Sequence, residues 1–186
     1  VNAGGNLQVS AGVATAARAT VGRASCFGGC SVSANANASL SAANNLQIDS
    51  VGNNLTVRGG SALANGSSLT MTYVGTSAQV IANANSDISG GQVTINSVGG
   101  SLQVSGGTAS GYASHSVSTG ATPVTEKAEA NANANIFASA NIQINNVAGD
   151  LSVNGGVAEA YAIRSCSGSS CIASANANAG ISAAQA

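Results

Sequence analysis

The chain has 186 residues, only 6% of them charged and 3% aromatic, with one Pro, no Trp and a formal net charge of −1. Five Lys and Arg scattered along it cannot neutralise a run of phosphates, which excludes a nucleic-acid surface. Asn, Ser or Gly interrupts every apolar run long before the roughly 20 residues of a transmembrane helix, and a 44% apolar content with little net charge is the opposite of the disordered signature.

In chain order, Val1 to Gly12 carries the alternating Leu7-Gln8-Val9, then comes a variable segment, and then the tract Ala34-Asn35-Ala36-Asn37. The tract recurs as Ala82-Asn83-Ala84-Asn85, Ala130-Asn131-Ala132-Asn133 and Ala175-Asn176-Ala177-Asn178, so the chain is a repeat protein with a unit of 45 to 49 residues. A large aliphatic residue follows each tract: Leu40, Ile88, Ile136 or Ile181. Next comes Leu46-Gln47-Ile48, Val93-Thr94-Ile95 or Ile142-Gln143-Ile144, and nine residues on Leu55-Thr56-Val57, Leu102-Gln103-Val104 or Leu151-Ser152-Val153. Gly52-Asn53-Asn54, Gly99-Gly100-Ser101 and Gly149-Asp150 separate these pairs and suit a tight turn with positive φ. A Gly-Gly step closes each second pair, Gly59-Gly60, Gly106-Gly107 and Gly155-Gly156, with Ala11-Gly12 in the first copy.

Period 2 holds from Val32 to Ala42, with apolar residues at even positions and Ser or Asn at odd ones, which predicts β-strand. Ala is the best helix former, but Asn at alternate positions would lie on all sides of a helix, and Asn, Val, Ile and Gly are weak helix formers. The predicted fold is all-β, a β-solenoid-like stack of four repeats of about 48 residues, the first and last split across the chain ends. It forms one repeat domain over 1–186, with units near 1–45, 46–92, 93–141 and 142–186. Ala36, Ala84, Ala132 and Ala177 predict a thin core in which sheets pack closer than the usual ~10 Å. Asn35, Asn83, Asn131 and Asn176, with Asn37, Asn85, Asn133 and Asn178 beside them, predict amide ladders between stacked units. The opening half-unit and the closing one are complementary, so copies joined head to tail would make nearly a full unit.

The variable segment between each Gly-Gly step and the next tract is read as a hairpin excursion. Cys26 and Cys30 sit at its tip in the first copy, Cys166 and Cys171 in the last. An even Cys count at short spacing favours disulfides and an oxidising compartment, either within each tip or crossing between subunits. A zinc site would need both pairs together, preferably as Cys-x-x-Cys. His115 stands alone with no Gly-x-Ser-x-Gly elbow, and Asp49, Asp87 and Asp150 are too isolated for a calcium loop. No catalytic, cofactor or metal residue is assigned. The Asn-x-Ser/Thr matches at Asn37, Asn54 and Asn65 arise readily in such a composition. An ice-binding solenoid would show a recurring Thr-x-Thr row, and Thr70-Met71-Thr72 occurs once.

Gly-Asn-Asn-Leu-Thr-Val at 52–57, Gly-Gly-Ser-Leu-Gln-Val at 99–104 and the Asn-rich tracts resemble the repeats of bacterial secreted β-solenoids, filamentous haemagglutinin-type adhesins and, more loosely, curli-like fibre subunits. Curli-type repeats are about half this unit's length and haemagglutinin-type rungs shorter still. The resemblance implies a cell-surface or extracellular matrix role in adhesion or biofilm scaffolding. Together with the residue pattern it leads to the expectation of a self-associating extracellular fibre subunit whose partner is itself. The alternatives are a monomeric solenoid module of a larger adhesin and the ice-binding solenoid.

Overall fold

The computed structural model describes residues 1–17, 30–71, 77–117, 125–163 and 170–184. Among these there are 21 β-strands and no helix, and every strand pairing is parallel. Parallel pairing follows from the repeat. A unit that returns to its starting point lays Leu55 beside Leu7, then Leu102 beside Leu55 and Leu151 beside Leu102, so like side chains stack in rows.

One pass of the chain visits five sheets in turn. In the third pass these strands are Gln92–Val98 in sheet A, Leu102–Ser105 in sheet B, Thr108–Val117 in sheet C, Thr125–Asn131 in sheet D and Ala134–Ala138 in sheet E. Sheets B to E are four-stranded, and sheet A counts five strands because the second pass divides there into Asn45–Ile48 and Ser50–Val51. Sequence neighbours from different sheets are therefore not sheet neighbours: each strand is hydrogen-bonded to its equivalents in the adjoining passes, on both sides in the middle passes and on one side in the first and last.

Two cores run side by side along the stack. Sheets A, B and E enclose large aliphatic rows, among them Ile48, Leu55, Ile88, Ile95, Leu102 and Ile136, all fully buried. Burying each such side chain contributes about 1.5–3 kcal/mol. Sheets C and D instead face each other across alanine, with Ala62, Ala64 and Ala109 from one side and Ala82, Ala128 and Ala130 from the other. At Gly111 of sheet C an added Cβ would lie 2.6 Å from the Glu129 carbonyl oxygen of sheet D. The alanine core expected from the tracts is thus one of two, and beside it lies a core of large aliphatic side chains.

Three expectations are corrected. The flanks of the excursion are not a hydrogen-bonded hairpin: Ser61–Met71 belongs to sheet C and Ala78–Asn83 to sheet D, each paired only with its equivalents in other passes. Parallel stacking already satisfies their backbone, which leaves the two sheets to meet face to face. The eleven-residue alternation is not one strand either, because Cys30–Asn35 ends in sheet D and Ala38–Ser41 begins sheet E. The side-chain period survives the corner while the backbone changes sheet. Finally, Gly52, Gly99, Gly100 and Gly149 do not adopt the left-handed region; Gly52 is required by proximity, since its Cβ would lie 2.3 Å from the Gly4 carbonyl oxygen.

Ala84, fully buried, has no room for the three extra heavy atoms of a leucine. Ala84→Leu is expected to lower stability by about 3 kcal/mol or more through overpacking, against about 2 kcal/mol for Asn83→Ser, which removes two side-chain hydrogen bonds, one donated to Asn35 and one accepted from Asn131. Thermal unfolding of the two variants checks the order, and equal tolerance would mean that the buried face is misassigned.

Candidate functional site

The chain's polar chemistry is arranged in columns parallel to the stacking axis. At the end of sheet D the Asn83 amide donates to Asn35 Oδ1 at 2.7 Å, Asn131 to Asn83 at 2.9 Å and Asn176 to Asn131 at 2.9 Å. Every bond points the same way, from a later pass to an earlier one. Asn35, first in the column, turns its own amide to Ser33 Oγ of the same strand at 3.3 Å.

The second Asn of each tract does something different. Asn37 Oδ1 accepts the backbone N–H of Asn85 at 2.8 Å, Asn85 accepts that of Asn133 at 2.9 Å, and Asn133 that of Asn178 at 2.9 Å. At this corner the chain leaves sheet D for sheet E, so a backbone donor loses its ladder partner and the side-chain carbonyl replaces it. Further columns were not read from the sequence. Asn6 Oδ1 accepts from Asn54 N–H, Asn54 from Ser101 and Ser101 Oγ from Asp150, at 3.0, 2.8 and 3.1 Å. Asn145 donates to Asn96 and Asn96 to Asp49, at 2.8 and 3.3 Å, while Asn135 donates to Asp87 at 3.0 Å. Recurrence of a polar residue at unit spacing was the available signal, masked by the general abundance of Asn and Ser.

The alanines of the tracts sit at a waist between the two cores. Ala36, Ala84 and Ala132 are buried, while Ala177 is exposed. The buried carbonyls point across the waist and accept backbone N–H groups of Gly60, Gly107 and Gly156, at 2.9, 2.7 and 2.6 Å. Here both glycines of each step are needed. A Cβ on Gly106 would lie 2.1 Å from the Ala132 carbonyl oxygen, and one on Gly107 would lie 1.8 Å from the Gly60 carbonyl oxygen of the previous pass. The steps read as turn chemistry in sequence are thus the point where backbone meets backbone. On the outside they floor a groove running along the stack, walled by Gln8, Arg58 and Thr108.

The last pass leaves its inward-facing rows open. Leu151 is 46% exposed where Leu102 and Leu55 are 0%, and Ile181 is 48% exposed where Ile136 and Ile88 are 0%. Outer faces are mostly polar, with an ion pair between Lys127 and Glu129 on sheet D. Exposed apolar side chains gather on sheet C, at Val13, Leu63, Val157, Tyr161 and Ile163, with Ile172 on sheet D and Phe137 on sheet E besides. Tyr112 and Tyr161 are register partners there.

Cys171 is disulfide-bonded. Cys26, Cys166 and the side chains of Cys30 and His115 lie outside the described residues. Cys30, Ala78, Glu126 and Cys171 form one register row in sheet D. The Thr70-Met71-Thr72 row also lies beyond the described side chains. Among the described residues there is no group of three His, Cys, Asp or Glu able to hold a metal, and no helix long and apolar enough to cross a membrane. Comparison with protein-family models, with curated proteins and with solved structures returned no match.

Gly107→Ala tests the waist. Its methyl cannot fit without moving Gly60, so the variant is expected to lose about 3 kcal/mol or more, read as a fall in urea midpoint. Retention of the parent midpoint would show that the waist is looser than described.

Proposed function

We propose that the chain is a structural subunit of an extracellular filament, a four-repeat β-solenoid that polymerises head to tail by continuing its own parallel sheets, as a surface fibre or matrix scaffold. The observation that carries this reading is the open last pass: aliphatic rows that are fully buried between passes lie bare at the end of the stack. Open β-edges with exposed apolar side chains are templates for pairing with another chain, and one more layer satisfies both needs. Few charges oppose it, since the formal net charge is −1.

The filament's materials follow from the columns. Backbone ladders run along the axis, amide columns reinforce them, and the alanine arm keeps the section narrow. Disulfides, either Cys26 with Cys30 and Cys166 with Cys171 within the tips or between last-unit and first-unit cysteines across the junctions, would stiffen it in an oxidising compartment. The composition and repeat resemblance support a secreted, cell-surface setting with adhesion or biofilm scaffolding as the output. No catalytic role is proposed for His115 or any other residue.

A second reading shares the same observation. Further coils of a longer polypeptide would cover the last pass equally well, making this stretch a module of a larger surface adhesin. Electron microscopy of the purified chain separates the two. Assembly predicts uniform thin filaments with an axial repeat near 19 Å, four strand layers of about 4.8 Å each. Monodisperse monomers under all conditions would contradict it.

A further inference from the structure

We infer that the partner of the open last pass is the first pass of a second copy, docked in the same register that joins the passes within one chain, with Gly12 seated on Gly156 and locked by a waist bond to Ala177. The inference rests on the axial-assembly reading above and specifies its polarity, its register and its lock.

Gly12, Gly60, Gly107 and Gly156 occupy one row. In three of them glycine is enforced by the pass before: a Cβ on Gly60 would lie 1.8 Å from the Gly12 carbonyl oxygen, one on Gly107 1.8 Å from that of Gly60, and one on Gly156 1.9 Å from that of Gly107. Gly12 is under no such pressure within the chain, since a Cβ there would meet nothing within 4 Å. Glycine at Gly12 is nevertheless what a preceding layer would demand. Its carbonyl neighbour in that layer would be Gly156 of the preceding copy, one step further along the same row.

Hydrogen bonding gives the same answer with a direction. The waist N–H groups of Gly60, Gly107 and Gly156 reach back to Ala36, Ala84 and Ala132. By the same step, the Gly12 N–H of an added copy would reach Ala177, whose carbonyl accepts no backbone donor among the described residues. In the amide column each later Asn donates to the earlier one. An added copy would therefore turn its Asn35 amide away from Ser33, where it now rests at 3.3 Å, to Asn176 Oδ1. The apolar rows match as well: Leu7 continues the row of Leu55, Leu102 and Leu151, and Leu40 that of Ile88, Ile136 and Ile181. In the waist bonds and the amide column the donors lie on the first pass and the acceptors on the last, so these bonds form in one polarity of joining. An inverted copy would set acceptor against acceptor.

Gly12→Ala is the deciding variant, because the isolated chain has room for the methyl and the junction does not. The variant should melt as the parent does at a concentration too low for assembly, yet show a critical concentration for filament growth raised at least about tenfold, the effect of losing roughly 1.4 kcal/mol per junction. Parent-like growth of the variant overturns the inference. A second arm reads the register directly. In sheet B, Gln8 of the added copy would continue the row of Thr56, Gln103 and Ser152. Filaments of the doubly substituted Gln8→Cys, Ser152→Cys chain should give, on oxidation, an intermolecular 8–152 cross-link identified by peptide mass spectrometry, and a Ser10→Cys, Ser152→Cys chain should not give 10–152. Filaments with the shifted link, or with neither, overturn the register while leaving axial assembly standing. Failure of the parent chain to form filaments overturns both.

Discussion

Everything in this molecule depends on each pass of the chain returning to the same place. In-register parallel pairing at a separation of 48 residues, as in the Asn83 to Asn35 bond, requires the five sheets of one pass to superimpose on those of the next. Once they do, backbone ladders, amide columns and apolar rows form together, because each is the same event seen at a different atom. Small departures are absorbed: the Asn176 to Asn131 bond spans 45 residues and the Asn145 to Asn96 bond 49.

The two cores divide the energetics. The aliphatic lobe between sheets A, B and E holds the largest buried side chains, with Ile and Leu rows fully enclosed. The alanine arm buries less per residue and gains in proximity, letting sheets C and D meet closely. The waist holds the two apart and together at once, through N–H groups of Gly60, Gly107 and Gly156 on carbonyls that would otherwise be buried unpaired. Such a section has no natural limit along the axis, since each layer exposes the surface that the next one covers.

Much of the architecture was legible because a repeat reports its own geometry. Leu102-Gln103-Val104 beneath Leu55-Thr56-Val57 revealed a period, and period with alternation implied stacked β-structure. What sequence could not show was where the chain changes sheet. The alternation through Ala34-Asn35-Ala36-Asn37 continues smoothly across a corner, since a corner that preserves side-chain parity leaves no mark on a period of two. The role of the Gly-Gly steps was likewise hidden: a glycine required by a carbonyl from a distant strand looks the same as one required by a turn. Asn37 and Asn35 are indistinguishable in sequence, yet one caps a backbone donor and the other bonds to its own kind.

The central claim is that the stacking direction inside the chain is also the axis of a filament. Fibre diffraction from oriented filaments tests it most directly. The account predicts a strong meridional reflection near 4.8 Å, from strands lying across the axis and stacked along it. The same spacing on the equator would place the strands along the fibre and contradict it.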